Sequence, residues 1–392
     1  MLKKSFPILI ALFSIACGYS QYKKLSPNAE VSIITGGPGK LLYEGFGHST
    51  IRIKDRDFDT AYNYGIFDFN APNFYLNFTK GRLLYKLERY PFHYFVRGYQ
   101  REKRWIKEQV LHLNQAEKQQ FFEYLENNAK PENATYLYDP FFNNCATILG
   151  EITTTLLKDK VQFHGNHIQE KASFRTLMNA QIPWNTWGSF GINLALGSKL
   201  DIIATEKQHM YLPSFVYSGF KNATITANGS SQKLVKTDRY LLKFDTLQIN
   251  ASMLSPLLIF IAILCIGLFV TYRDVQRKKR SRWFDFTLLF STGLIGILIV
   301  FLWCFTNHST TPNNYNVLWA FAPNCYVAFC LLKEHPQKWV KTYMIGLLLL
   351  LCMIPFIWLS KLQALPLAAI PFILLVAIRY YFLQGILLAF KK

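Results

Sequence analysis

From about residue 254 onward the chain is mostly hydrocarbon, with apolar stretches at 254 to 272, 286 to 306, 316 to 332, 340 to 359 and 365 to 388. A helix needs ~20 apolar residues to cross a bilayer core, and backbone that meets lipid must satisfy its own hydrogen bonds. These stretches predict a transmembrane domain of five helices over residues 251 to 392, the third being the shortest. Residues 21 to 250 are left to fold as a separate domain outside the lipid.

Charge orients the spans. The loop after the first carries Arg273, Arg277, Lys278, Lys279, Arg280 and Arg282, and the loop after the third carries Lys333, Lys338 and Lys341. Residues 307 to 315 hold no Lys or Arg, and residues 360 to 364 hold only Lys361. Cationic loops stay in the cytoplasm, so the pattern puts the preceding domain outside the inner membrane, in the periplasm, and Lys391 and Lys392 inside. More than half of the formal net charge of +19 lies beyond residue 250, so the basic balance reflects topology and argues against a nucleic-acid partner. Arg379 is the lone charge deep in a span; it either faces a protein interior or water, or snorkels from a tilted helix.

The N-terminus has Lys3 and Lys4, an apolar run from Phe6 to Ala16, and Gly18-Tyr19-Ser20 before Gln21. These are the three parts of a signal peptide, 1 to 20, cut after Ser20. Lipid attachment at Cys17 is the alternative, disfavoured by Ser14 at the position where such a signal carries a Leu-like residue. Cys265, Cys304, Cys325, Cys330 and Cys352 all fall in predicted spans, so Cys145 is the one thiol of the exported domain and has no disulfide partner there.

Within that domain, residues 31 to 36, 50 to 53 and 59 to 69 read as strands, with Gly36, Gly37, Pro38 and Gly39 as a turn. Residues 99 to 113 read as a helix, Asn114 to Glu117 opens another with a capping pair, and Ala146 to Leu157 has helical spacing. Cys145 therefore sits at a helix N-terminus, where free N–H groups and the macrodipole favour thiolate. A thiolate nucleophile requires a base, and His48, in Gly45-Phe46-Gly47-His48-Ser49-Thr50, is the best framed candidate over His93, His112, His164, His167 and His209. A third group should hold the imidazole; Asp59, Asn63, Tyr64 and Asp68 are candidates among which the residues do not choose.

The segment Lys80 to Trp105 interleaves basic and aromatic side chains, which suits either an anionic headgroup interface or a solvated face backed by core aromatics. The outer loop from Asn307 through His308, Asn313 and Asn316 to Trp319 is unusually polar, as for a headgroup pocket or for a solvated turn with a Trp anchor. No His, Cys, Asp and Glu cluster has metal-ligand spacing, so neither a metal nor another cofactor is expected.

Taken together, Gly47-His48-Ser49, Tyr62-Asn63-Tyr64-Gly65-Ile66-Phe67-Asp68-Phe69, Tyr138-Asp139 and Asn143-Asn144-Cys145-Ala146-Thr147 resemble the Bacteroidetes-type lipoprotein N-acyltransferase family. Ser173-Phe174-Arg175, Trp184, Leu196-Gly197 with Asp201, Leu212-Pro213 and Asn313 to Trp319 with Pro323 extend the likeness over nearly the whole mature chain. The resemblance implies an α+β papain-like, circularly permuted periplasmic domain, His before Cys, followed by an all-α five-helix membrane domain. It further implies that a phospholipid acylates Cys145, and that the amine of a diacylglyceryl-cysteine on a lipoprotein then takes the acyl chain, with His48 moving the protons. Asn63, Tyr64, Asp68, Tyr138, Asn144, His308, Asn313, Asn316 and Trp319 are the candidate orienting or substrate-binding residues. Ala146 departs from the small hydroxyl residue expected there. The rival reading is a membrane-tethered cysteine peptidase or amidase acting on peptidoglycan, for which a single anchoring helix would suffice.

Overall fold

A computed structural model describes residues 22–227, 229–246 and 254–389. The signal peptide, Cys17, the domain boundary at residue 250 and the two terminal lysines lie outside the described residues.

The exported domain is α+β. Its strands are β1 (Glu30–Gly36), β2 (His48–Lys54), β3 (Asp59–Ile66), β4 (Leu84–Pro91), β5 (Ile106–Leu111), β6 (Thr135–Leu137), β7 (Val161–Gln162), β8 (Thr224–Ala227), β9 (Ser230–Lys233) and β10 (Val235–Leu242). Seven of them form one antiparallel sheet in the order β10-β5-β1-β2-β3-β4-β6, and β7-β8-β9 form a small second sheet. The helices of this domain are α1 (Phe74–Thr79), α2 (Phe92–Arg101), α3 (Gln115–Asn128), α4 (Thr147–Leu157), α5 (Phe174–Asn179), α6 (Trp187–Ala195), α7 (Glu206–His209) and α8 (Pro213–Asn222).

Strand alternation assigns the large sheet two cores. Val31, Ile33, Ile51, Ile53, Tyr62 and Tyr64 face Phe121 and Leu125 of α3, Leu149 and Ile152 of α4 and Phe220 of α8. Ile34, Ala61 and Ile106 face Phe92, Phe95 and Tyr99 of α2. Each fully buried side chain of this size contributes about 1.5–3 kcal/mol against solvent exposure. The α3 start is capped as expected: Asn114 Oδ1 accepts from Glu117 N at 2.9 Å, and Asn114 N donates to Glu117 Oε2 at 2.9 Å.

The expected helix over 99 to 113 is not there. Helix α2 ends at Arg101, and Ile106–Leu111 is β5, paired with both β1 and β10. Glu108 and Gln109, which fall in that stretch, are buried, Glu108 bonding Arg52 at 2.8 Å and Arg239 at 2.7 Å, and Gln109 bonding the Tyr217 carbonyl at 3.0 Å. Partners distant in sequence satisfy both polar groups, so the polar pattern misrepresents the burial. The basic and aromatic run from Lys80 to Trp105 likewise divides: Phe92, Phe95, Tyr99 and Arg104 are interior, while Tyr94 stays exposed.

In the membrane half, α9 (Pro256–Arg277), α10 (Arg282–Cys304), α12 (Lys338–Leu359) and α13 (Ile370–Ala389) are the long helices, and four described segments are long and apolar enough to cross a membrane. The third predicted span, expected to be the shortest, is broken. It consists of a 3-10 turn (Tyr315–Leu318), an irregular bend through Pro323, and the nine-residue α11 (Asn324–Leu332). The bend packs on α10, where a Cβ on Gly296 would lie 2.2 Å from the Ala320 carbonyl oxygen, so only glycine admits the approach. This segment still runs the length of the bundle. Asn316 at its start bonds the Asn193 and Leu194 carbonyls of the exported domain, and the Leu331 carbonyl at its end accepts from Arg280 in the loop between α9 and α10.

Arg379 is fully buried and faces protein. Its Nε bonds Asp285 at 2.6 Å, and its other nitrogens bond Asp274 at 2.6 Å and Thr271 at 3.1 Å. Arg280 completes the cluster on Asp285 at 3.2 Å, so two cations and two carboxylates compensate one another and tie α9, α10 and α13 together.

Candidate active site

The site forms where the sheet's two cores meet at one end of β2 and β3. His48 heads β2, opposite Gly36 of β1, and its ring stands 6.4 Å from Phe95 on the α2 side. Asn63 of β3 lies on the same side as Ala61. Its Oδ1 is 2.5 Å from His48 Nε2, while its Nδ2 donates to the Tyr90 hydroxyl at 2.8 Å. With Nε2–H held on Asn63, the other ring nitrogen, Nδ1, is left to face the sulfur.

Cys145 belongs to the opposite core, in the turn that leads into α4. Asn144 builds that turn. Its Oδ1 accepts from Ala146 N at 2.8 Å and Thr147 N at 2.9 Å, Thr147 Oγ1 in return accepts from Asn144 N at 2.8 Å, and its Nδ2 donates to the Pro140 and Tyr211 carbonyls. Asn144 is therefore a cap, and Cys145 sits among the first free N–H groups of the helix.

Gly65 lets the two sides meet. Its φ of 94° coincides with a register shift between Asn63 and Ile66, a bulge that diverts β3. A Cβ there would lie 3.6 Å from Cys145 Cβ, 3.9 Å from His48 Cε1 and 3.9 Å from Tyr138 Cε2. The missing side chain leaves room between imidazole, sulfur and Tyr138.

Burial would raise the Cys145 thiol, but the facing His48, hydrogen-bonded to it, and the backbone N–H groups of Ser49 and Cys145 bring it below its ordinary value. Burial would likewise depress His48; the charge of Cys145 and the hydrogen bonds to Cys145 and Asn63 raise it instead, against an opposing push from Arg104. Both shifts favour a thiolate beside an imidazolium. Tyr138 is pushed well above the usual phenol range by burial and then by the neighbouring sulfur, so it stays protonated as a donor. Such a group can attack a carbonyl carbon, relay a proton through His48, and hold an oxyanion on backbone N–H groups.

The other candidates separate. Tyr64 packs in the core with its hydroxyl on Asn128 at 2.9 Å, Asp59 pairs with Arg52, and Asp68 accepts from Asn70 N at 2.9 Å in a turn. The outer loop is docked on the exported domain instead of standing free in solvent. Asn307 N donates to the Lys80 carbonyl at 2.8 Å, Ser309 Oγ donates to Asp139, and the Asn313 carbonyl accepts from Ser198 N at 3.1 Å. His308, half-buried, is lowered by desolvation although the backbone of Thr79 and Phe78 bonds it. Asn316 and Trp319 are buried, the indole N–H donating to Asn316 Oδ1 at 2.9 Å. His308, Asn313 and Asn316 fasten the two halves of the chain, Trp319 braces Asn316, and none of the four touches Cys145 or His48 in any contact described. Sequence reasoning missed the Ser49 amide, which carries no side-chain signal, and the role of Gly65, whose place between Asn-Tyr and Ile was the available hint.

Fold and site define a membrane-anchored α+β protein in which Cys145, the one cysteine among the described residues of the exported domain, faces an imidazole. Residues 19–187 match the Lnb N-terminal periplasmic domain and residues 248–391 match the Lnb transmembrane domain. The chain belongs to the Lnb family, the lipoprotein N-acyltransferase type its motifs resemble. No curated protein and no solved structure matches it.

Proposed function

We infer that the protein is a lipoprotein N-acyltransferase of the inner membrane working through a thioester on Cys145. The observation that carries this reading is the Cys145–His48–Asn63 arrangement in a periplasmic domain fastened to the outer ends of membrane helices. The thiolate attacks the ester carbonyl of a phospholipid acyl chain. A C–S bond forms, the C–O ester bond breaks, and the imidazolium of His48 gives its proton to the departing lysophospholipid hydroxyl. The neutral amine of a diacylglyceryl-cysteine then attacks the thioester. A C–N bond forms, the C–S bond breaks, His48 takes the amine's proton, and the thiolate–imidazolium pair is restored.

The N–H groups of Cys145 and Ser49 are suited to the oxyanion of both steps. Cys145 is 8% exposed, which supports transfer over hydrolysis because a thioester there is shielded from water. The test uses the full chain in phospholipid vesicles: intact-mass measurement should find a hydroxylamine-sensitive acyl adduct on Cys145, discharged by a diacylglyceryl-cysteine peptide. Cleavage of muropeptides with no such adduct would replace this reading with the peptidoglycan amidase.

A further inference from the structure

Two exposed apolar segments flank the site, and each is tied to the outer end of the membrane helices. Helix α1 buries none of its side chains; Tyr75 is 72% and Leu76 52% exposed. Just after α1, the carbonyl of Lys80 accepts from Asn307 N at 2.8 Å, in the loop that follows α10. The second segment is Leu41–Tyr43, with Leu41 52% and Tyr43 60% exposed. Leu42 packs on α6, where a Cβ on Gly188 would lie 2.8 Å from it, and the neighbouring Trp187 packs 5.9 Å from Phe260 in the second turn of α9. Both segments therefore sit beside the outer ends of long apolar helices, α10 and α9 respectively.

Phe67 stands between them, 6.5 Å from Tyr43 and 6.0 Å from Phe74 of α1. From Phe67 a continuous wall of rings leads inward, to Tyr85 at 5.0 Å and on to Tyr138 at 4.2 Å, beside Cys145. We propose that α1 and the Leu41–Tyr43 turn are seated in the outer leaflet and form a portal through which a phospholipid acyl chain passes along Phe67 and Tyr85 to Cys145. Apolar surface this large is costly in water and gains by burial among acyl chains, while Lys80 and Arg82 at the end of α1 suit phosphates. Occupancy by lipid is favoured over a second protein because each segment is joined directly to the outer end of an apolar span. Use of the portal rests on the thioester reading; the seating in lipid does not.

Benzoylphenylalanine is placed at position 75, at position 43 and, on the far edge of the sheet, at position 240 of the full chain in phosphatidylethanolamine–phosphatidylglycerol vesicles. Illumination should give phospholipid adducts at 75 and 43 and none at 240. Absence of lipid adducts at 75 and 43, or chain-to-chain adducts in their place, overturns the seating. Separately, the pair Tyr75→Glu and Leu76→Glu should slow acylation of Cys145 by vesicle lipid roughly tenfold or more, with its alkylation by iodoacetamide unchanged. Equal acylation overturns the portal. If the unaltered chain forms no acyl adduct, the thioester reading and the portal fall together, whereas lipid adducts at 75 still establish the seated face.

Discussion

His48 Nε2 lies 2.5 Å from Asn63 Oδ1, a contact between the head of β2 and the middle of β3 across fifteen residues of chain. Because Oδ1 can only accept, the contact keeps a proton on Nε2 in either charge state and sets which way the imidazole points. Asn63→Ala should therefore slow thioester formation on the order of 10²-fold while leaving the fold intact. Acylation rates by intact mass, with thermal melting as the control, check this; an unchanged rate would remove Asn63 from the site.

The acidity of Cys145 depends on His48. With His48→Ala the opposing charge and its hydrogen bond disappear, leaving only the N–H groups of Ser49 and Cys145 against burial, so the thiol pKa should rise. The alkylation rate of Cys145 against pH should show its rise displaced to higher pH. The linked stability has opposite senses for the two groups. The raised His48 contributes below its unfolded value of 6.5 and loses that contribution as pH climbs through its folded pKa. The lowered Cys145 contributes above its value in the unfolded chain and loses that contribution as pH falls through its folded pKa.

Gly65 has a φ of 94° and sits between the sulfur and the imidazole. Gly65→Ala should cost about 1–3 kcal/mol from backbone strain, read as a lowered Tm, and should also narrow the space beside Cys145. Acylation should fall by more than the stability loss explains at a temperature where the variant is fully folded.

Arg379 offers a test far from the thiol. Arg379→Ala leaves Asp274 and Asp285 buried with reduced compensation and should destabilise the bundle by about 3–5 kcal/mol, measured as thermal unfolding in detergent or bilayer. Combining it with Asp285→Asn should recover part of the loss, since the second change removes one orphaned charge.

Docking of the outer loop gives a further expectation. Asn314 Nδ2 donates to the Leu194 and Ala195 carbonyls at 2.8 and 3.1 Å. Asn314→Ala should loosen the exported domain on its helices and reduce acylation from vesicle lipid, with alkylation of Cys145 unaffected. Hydrogen exchange at residues 194 to 198 would report the loosening, and unchanged exchange would show that the remaining contacts suffice.

Local chemistry alone determined much of this protein. Apolar length and loop charge divided the chain into an exported and a membrane half, cysteine placement singled out Cys145, and the Asn114–Glu117 pair and the helical spacing from Ala146 marked the starts of α3 and the helix after Cys145, because each signal acts within a few residues or within one span. Tertiary structure decided what depends on partners far apart in sequence. It put Asn63, and not Asp59, Tyr64 or Asp68, against the His48 ring through strand register and the bulge at Gly65. It made 106 to 111 a strand by compensating Glu108 with Arg52 and Arg239, broke the third span where Ala320 meets Gly296, and drew the polar outer loop onto the exported domain. The physical reason is the same in each case: a polar group's free energy is set by the partner that replaces water, and the fold alone supplies that partner.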